Sequence, residues 1–221
     1  MQFDSTVINM LGKGIWDTIY MVTLSSLLSY IIGIPLGIAL VVTDKDGIQP
    51  LPLLNKVMGT IINLLRSIPF IILLIMVIPL TRVIAGKIIG ANAAVVPLVI
   101  SAFPYISRMV ESSLKEVDAG VIEAAKSMGA STGQIIMKVL LPEAKPSLLV
   151  GAAISVTTIL GYSAMAGAVG AGGLGDIAIR YGYHRYQTDM MLVTVVLLVI
   201  IVQIIQEVFM RLARRGDKRI R

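Results

Sequence analysis

The stretch "TIYMVTLSSLLSYIIGIPLGIALVVT", residues 18–43, runs from Asp17 to Asp44 without a charged side chain. An α-helix needs roughly 20 apolar residues to cross the hydrocarbon core of a bilayer, and this stretch is longer. It is also too long for the apolar region of a signal peptide and has no A-x-A cleavage site, so we expect it to remain in the mature protein. The sequence therefore predicts a transmembrane helix near the N-terminus.

The composition of the whole chain is that of a protein embedded in a bilayer. Of its 221 residues, 56% are hydrophobic and only 14% are charged, and its mean hydropathy is +0.87, well above soluble domains. Its nine prolines and twenty glycines are tolerated in membrane bundles, because neighbouring helices satisfy the backbone groups that they free. The predicted fold class is all-α, a polytopic transmembrane helical bundle that forms a single domain over residues 1–221.

Apolar stretches separated by charged segments predict five spans, which place the two termini on opposite sides of the membrane. Most Lys and Arg residues fall in the C-terminal tail, in residues 108–145 and in the first loop. The positive-inside rule then puts these segments and the C-terminus in the cytoplasm, and the N-terminus outside. The basic tail is expected to contact membrane lipid, and no nucleic acid is expected as a partner. The spans are predicted at about residues 17–43, 57–81, 88–107, 146–175 and 188–206.

A charged helical stretch, "EAAKSMGASTGQIIMKVLLPEA", occupies residues 123–144 of the cytoplasmic connection. Asp118 can cap a helix that begins just before this stretch, and Gly129 is placed to end that helix in a left-handed conformation. Its apolar face is formed by Val121, Ile122, Ala124, Ala125 and Met128. Such a face on a short helix suits docking into the groove of a partner protein. The alternative, an interfacial helix lying on lipid, is left open by the periodicity.

A second helix is predicted to follow the first. Ser131 and Gln134 have the spacing of a capping box, in which each side chain accepts from the backbone N–H of the other residue. Pro142 is expected to close this helix, because proline has no backbone N–H. The connection is therefore predicted to fold as helix, turn and helix.

The same stretch resembles the EAA loop of ABC importer permeases, whose pattern is EAA, three residues, G, nine residues and I-x-L-P. Val139 stands where that pattern has isoleucine. Three more segments are similar to the methionine-importing branch of the family: "RSIPFIILL" at 66–74, "RMVESSL" at 108–114 and "GYSAMAGAVGAGGLG" at 161–175. The residues of the loop that match the pattern are Glu123, Ala124, Ala125, Gly129, Leu141 and Pro142.

This resemblance implies a function and a set of partners. In that family the loop is a coupling helix, held in a cleft of a separate ATPase. The chain is then expected to be the permease subunit of an ATP-driven methionine importer that works by alternating access in a bacterial inner membrane. The implied partners are a second copy of the chain, two ABC ATPase subunits and an extracytoplasmic methionine-binding protein. The residues expected to couple to the ATPase are Glu123, Ala124, Ala125, Lys126, Gly129 and Pro142.

The chain has no motif for chemistry of its own, and no catalytic residue is predicted. Without a G-x-x-x-x-G-K-[ST] sequence, ATP and Mg are expected on the partner ATPase, and no cofactor is expected on this chain. There is no cysteine and one histidine, so no metal site is expected. Gly170, Gly172 and Gly175 match G-x-G-x-x-G, but they end an apolar span, and close helix packing explains them better than dinucleotide binding.

Three residues are candidates for the translocation path or its gate. Tyr162 and Met165 lie in the glycine-rich fourth span, where a flexible methionine can seal a narrow opening. Ordinary packing in the span is the alternative for both. Arg66 falls in the second span, where it either has a functional role within the membrane or extends to the cytoplasmic interface.

Two other functions are alternatives to a methionine permease. A secondary transporter or channel subunit needs buried ionisable partners and usually an inverted repeat, whereas Arg66 is the only charged residue away from the ends of the predicted spans, and there is no convincing repeat. An ABC permease for another amino acid or a small peptide would keep the same motifs, since the binding protein can select the cargo.

Overall fold

The computed structural model describes residues 4–216, and every regular element in that range is a helix. Besides its α-helices, this range contains a π turn (Ile136–Leu140), a 3-10 turn (Gly167–Val169) and a second π turn (Ala178–Tyr183). The predicted all-α fold class is confirmed. The α-helices in chain order are α1 (Ser5–Val42), α2 (Pro52–Arg66), α3 (Phe70–Met76), α4 (Ile78–Ala85), α5 (Ala91–Lys115), α6 (Ala119–Ser127), α7 (Thr132–Ile135), α8 (Leu141–Glu143), α9 (Lys145–Ala166), α10 (Gly173–Ile177) and α11 (Thr188–Gly216).

Four helical segments of the described chain are long and apolar enough to cross a bilayer. They are Ser5–Val42, Ala91–Lys115, Lys145–Val169 and Thr188–Arg214. The bent pair α2 and α3 makes a fifth span if the two helices are counted together. The polytopic helical bundle predicted from the apolar stretches is therefore present, with a break between α2 and α3 inside the second predicted span.

The break falls inside the second predicted span, about 57–81. α2 ends at Arg66, and Pro69 has an extended conformation, with φ −57° and ψ 136°, before α3 begins. Proline disfavours a helical conformation in the residue before it, so the helix cannot run through this position unchanged. Pro79 lies in the first turn of α4, where its missing N–H leaves no helical hydrogen bond unmade.

Several helices extend well beyond the predicted spans. α1 begins at Ser5 although Lys13 and Asp17 are charged, and α5 continues as far as Lys115. An apolar run measures the part of a helix that crosses lipid, whereas the helix itself ends only where its backbone hydrogen bonds are capped or broken. The predicted spans therefore mark positions in the chain better than they mark helix ends.

The helices pack into two compact units. The first comprises the chain up to Ser29, Ile68–Ala102 and Val156–Gln206, and the second comprises Tyr30–Ser67, Phe103–Ser155 and the chain from Glu207 onward. The long helices α1, α5, α9 and α11 contribute residues to both units. Each unit has buried side chains of its own.

In the first unit, α10 is buried against its neighbours. Leu174 and Ile177 of α10 form a core cluster with Leu11 of α1 and Met190 of α11. Gly175 lies so close to α9 that a Cβ there would collide with the backbone of Ala164. The small residues of the predicted glycine-rich span therefore serve close packing here.

In the second unit, α1 lies against α5 through two glycines spaced four residues apart. A Cβ at Gly33 would lie 2.6 Å from Cγ2 of Ile106. A Cβ at Gly37 would lie 2.6 Å from Cβ of Val110 and 2.7 Å from the carbonyl oxygen of Ser107. This is the small-xxx-small arrangement by which membrane helices bring their backbones together.

Replacing Gly37 with alanine is expected to destabilise the protein. The new methyl group meets a backbone carbonyl that cannot rotate away, and overpacking of this kind costs about 1–3 kcal/mol. Thermal unfolding in detergent measures the effect. Gly12→Ala is the matched control, because Gly12 lies on the same helix with no atom within 4 Å of its added Cβ. Equal melting temperatures for the two variants would contradict the assigned contact.

Candidate functional site

The helix α6 begins and ends with the predicted capping residues. The side chain of Asp118 accepts a hydrogen bond from the N–H of Gly120 at 2.7 Å. At the other end Gly129 has a φ of 77°, and its N–H donates to the carbonyl of Lys126 at 2.9 Å. The N–H of Ala130 donates to the carbonyl of Ala125 at 3.1 Å, which completes a Schellman motif. Both predicted caps are confirmed, and α6 has fixed ends.

The capping box of the following helix is also confirmed. The N–H of Ser131 donates to Oε1 of Gln134 at 2.8 Å, and the N–H of Gln134 donates to Oγ of Ser131 at 3.4 Å. The expectation that Pro142 closes this helix is wrong, because the helical course continues through α8 to Glu143. A π turn precedes Pro142, in which the N–H of Leu141 donates five residues back, and proline is then accepted in the first turn of α8.

The apolar face predicted for α6 is divided between the interior and the surface. Ala125 is buried, whereas Val121, Ala124 and Met128 are exposed, Met128 to 81%. Exposed apolar side chains on a helix of nine residues are available for contact with another protein.

The polar residues of α6 are also available. Glu123 and Lys126 are both exposed, and neither has an ion-pair partner within residues 4–216. The segment therefore presents apolar and charged groups together, as a docking helix requires.

A chain of ion pairs lies where α5 leads into this segment. Nη1 of Arg108 lies 2.7 Å from Oε2 of Glu111, and Nζ of Lys115 lies 2.9 Å from Oε1 of the same carboxylate. Lys115 also reaches Oδ2 of Asp44 at 2.7 Å, and Nη2 of Arg108 donates to the carbonyl of Gly59 at 2.9 Å. The chain therefore joins α5 to the end of α1 and to α2.

This chain of ion pairs is not among the features predicted from the sequence. Arg108, Glu111 and Lys115 have the i,i+3 and i,i+4 spacing of side chains that pair on one face of a helix. This spacing is visible in the sequence and could have predicted the pairs within α5. Asp44 is far from them in the chain, and only the fold brings it close.

The hydrogen bond from Lys115 holds the pKa of Asp44 below its ordinary value of 3.8, with a smaller opposing effect of burial. A carboxylate whose pKa is lowered by folding stabilises the folded state above its unfolded pKa, and this contribution disappears as the pH falls through the folded pKa.

We expect Asp44→Asn to lower stability at pH 7 by about 1 kcal/mol or less, as is typical of ion pairs near a surface. The difference from the parent protein should begin to shrink as the pH falls below about 4, and it should vanish once the pH is below the lowered pKa of Asp44 in the folded protein. Thermal unfolding in detergent at pH 7, 5 and 3 measures it. Asp46→Asn is the control, since Asp46 is exposed and its one ion-pair partner in the described part of the chain is exposed Lys45. A difference that persists unchanged at pH 3 would contradict the ion pair.

The two predicted gate residues of α9 have different surroundings in the first unit. Met165 is half exposed, and a Cβ at neighbouring Gly161 would meet nothing within 4 Å. The ring of Tyr162 instead stacks on Phe70, with centroids 4.7 Å apart and planes 5° apart. Met165 therefore lies on an open face of α9, and Tyr162 is held beside it by an aromatic contact.

Arg66, the third predicted path residue, belongs to the second unit. It is exposed in the last turn of α2, where the helix dipole favours a positive charge. Its guanidinium carbon lies 5.9 Å from the centroid of the Tyr105 ring, within the range of a cation–π contact.

Comparison with known proteins identifies relatives over most of the chain. Residues 33–221 match the family model described as binding-protein-dependent transport system inner membrane component. The probable D-methionine transport system permease protein MetI of Vibrio cholerae is 51% identical over 205 residues, which cover 92% of this chain and 91% of the relative. The D-methionine transport system permease protein MetI of Escherichia coli K12 is 49% identical over 158 residues, 72% of this chain and 73% of the relative.

Solved structures give the same result. A chain of the MetNI methionine ABC transporter in an inward-facing conformation superposes with a TM-score of 0.96 and 46% identity, covering 98% of this chain and 100% of the other. An amino acid ABC transporter crystallised with histidines superposes with a TM-score of 0.77 at 19% identity, over 97% of this chain and all of the other, a likeness of fold alone.

Proposed function

Because this chain belongs to the family of binding-protein-dependent transport system inner membrane components, we propose that it is the membrane subunit of an ATP-driven importer of methionine. The main support is its likeness, over almost the whole length of both chains, to a chain of the MetNI methionine ABC transporter. The EAA pattern in the segment around α6 supports the same assignment from the sequence.

The energy for transport comes from a separate ATPase. The chain has no phosphate-binding loop of the G-x-x-x-x-G-K-[ST] type, so ATP and Mg bind to the partner. Two copies of the chain form the pathway in the bacterial inner membrane, two ATPase subunits bind below, and an extracytoplasmic binding protein delivers methionine. The N-terminus lies outside and the C-terminus in the cytoplasm, as the Lys and Arg distribution favours.

The coupling segment of residues 108–145 transmits ATPase closure to the membrane helices. The exposed residues Val121, Ala124 and Met128 of α6 enter a groove of the ATPase, while Glu123 and Lys126 make polar contacts at its edge. The caps at both ends keep α6 helical under load. Alternating access then follows from rigid-body movement of the helices that this segment pulls.

The open face of α9 lines the translocation path. Met165, which is half exposed in the single chain, closes the path against its copy in the partner subunit. Tyr162, fixed by its contact with Phe70, and Arg66, at the end of α2, serve as lining residues. This arrangement needs two copies of the chain.

Replacing Gly129 with alanine is expected to reduce coupled transport. Alanine at a left-handed position costs roughly 1–2 kcal/mol, which favours loss of the Schellman motif and a loose end on α6. In proteoliposomes holding the permease, its ATPase and the binding protein, methionine uptake per ATP hydrolysed should fall, while the complex still assembles.

Gly133→Ala is the matched control for this substitution. Both glycines have open space around an added Cβ, but only Gly129 has a positive φ. Equal uptake by the two variants would contradict the coupling role. Uptake by the parent protein without ATP or the ATPase, driven by an ion gradient, would instead favour a secondary transporter.

Replacing Met165 with alanine is expected to raise the leak of methionine through the assembled transporter without ATP. The shorter side chain leaves the path open where the thioether closed it. Efflux from preloaded proteoliposomes measures the leak. Leu192→Ala, on an exposed side chain of α11, is the control. Unchanged efflux and unchanged uptake for Met165→Ala would show that Met165 only packs.

A further inference from the structure

The first unit contains a charged cavity of about 520 Å³. Its walls come from α1, from the residues around the start of α5, from a glycine loop (residues 170–173), and from α10 with the turn that follows it. A volume of this order is typical of small-molecule sites. The polar side chains that line it are Lys13, Asp17, Lys87, Asn92, Asp176 and Arg180.

Three of these charges are uncompensated. Arg180 and Asp176 form an ion pair with each other. Lys13, Asp17 and Lys87 have no ion-pair partner within the described chain. The cavity therefore offers two free ammonium groups and one free carboxylate to a ligand.

The glycine loop keeps the free carboxylate accessible. A Cβ at Gly172 would lie 3.4 Å from Oδ2 of Asp17, and the φ of 81° at Gly172 disfavours any side chain there. The N–H of Leu174 donates to Oγ1 of Thr18 at 2.9 Å, so the loop is bonded to α1 beside Asp17. The backbone of this loop thus forms a wall of the cavity without filling it.

A second hydrogen bond fixes the other side of the loop. The N–H of Gly90 donates to the carbonyl of Gly170 at 3.0 Å, which joins the loop to the segment that carries Lys87 and Asn92. These two hydrogen bonds therefore hold the charged side chains of α1 and the segment around the start of α5 on either side of the cavity.

We propose that this cavity is a binding site for a free α-amino acid in its zwitterionic form, an inference that rests on the proposed function and assigns a site to its cargo. Lys13 and Lys87 bind the carboxylate, and Asp17 binds the ammonium group. A simple anion would leave Asp17 uncompensated, and a simple cation would leave both lysines uncompensated, whereas a zwitterion pairs with all three.

The apolar part of the lining suits the side chain of such a ligand. Met10, Ile177 and Tyr181 border the cavity beside its charged groups. An unbranched thioether side chain packs well against flexible and aromatic surfaces of this kind. The site therefore favours an amino acid with an apolar side chain over a charged one.

Binding of radiolabelled L- and D-methionine to the permease–ATPase complex in lipid nanodiscs tests the proposal, without binding protein and without ATP. Asp17→Asn and Lys87→Gln should each weaken binding roughly fivefold, since an exposed charge pair contributes up to about 1 kcal/mol. Asp46→Asn and Lys45→Gln make the same changes on an exposed pair outside the cavity and should leave binding unchanged. Equal dissociation constants for all four variants would overturn the proposal.

Competition on the parent complex gives a test that needs no variant. Methionine methyl ester lacks the carboxylate and 4-(methylthio)butanoate lacks the ammonium group, so both should compete more weakly than methionine. Equal competition by either would overturn the zwitterion assignment. Methionine binding that falls as phosphatidylethanolamine replaces phosphatidylglycerol would assign the cavity to a lipid headgroup and also overturn it.

The two proposals fail in different ways. If the parent complex imports methionine with ATP but binds none without the binding protein, the cavity proposal is wrong and the proposed function stands. If the parent complex shows no ATP-dependent methionine uptake, the proposed function is wrong. Variant complexes are checked for ATPase recovery on purification, so that a loss of assembly is not taken for a loss of binding.

Discussion

Close approach of helix backbones at glycines is the contact on which both packing units depend. Moving an apolar side chain from lipid into a contact between helices gains little free energy, because the lipid tails are themselves apolar. Helix association in a membrane therefore relies on van der Waals contact over closely fitted surfaces. Gly33 and Gly37 allow this fit between α1 and α5, and Gly167 and Gly175 allow it around α9 and α10. An added methyl group at any of these positions would collide with backbone atoms or with branched side chains. The positions of the charged side chains on these helices therefore depend on the absence of a Cβ at the glycines.

In the second unit, ion pairs and a hydrogen bond add polar contacts to the close packing of α1 against α5. Glu111 is buried and is shared by Arg108 and Lys115, and removal of either cation would leave its carboxylate poorly compensated. α6 begins at Ala119, shortly after α5 ends, so under the proposed coupling role a pull on α6 acts on α5 at this point. Through Asp44 and the carbonyl of Gly59, the same pull reaches α1 and α2.

The sequence predicted local features of the site and missed those that depend on tertiary contacts. Asp118, Gly129 and the capping box were predictable because a cap depends on residues within one turn. The passage of the helix through Pro142 was not, since a π turn is selected by the surrounding structure. The apolar run 57–81 predicted one span across α2 and α3, because mean hydropathy depends on the apolar residues of a window and not on whether the helix is continuous. The break at Pro69 was therefore missed. Asp44 and the charged cavity were missed because their groups come from distant segments.

The two sets of charges differ in a way that separates structural from functional roles. In the second unit, carboxylates and cations compensate each other at 2.7–2.9 Å, and such groups have little left to offer a ligand. In the first unit, Lys13, Asp17 and Lys87 have no ion-pair partner among residues 4–216, although the fold gathers them around one space. Charges of both signs that lie together without forming an ion pair contribute little to the stability of the folded chain. Their arrangement is therefore better explained by a ligand that carries both complementary charges than by the stability of the bundle.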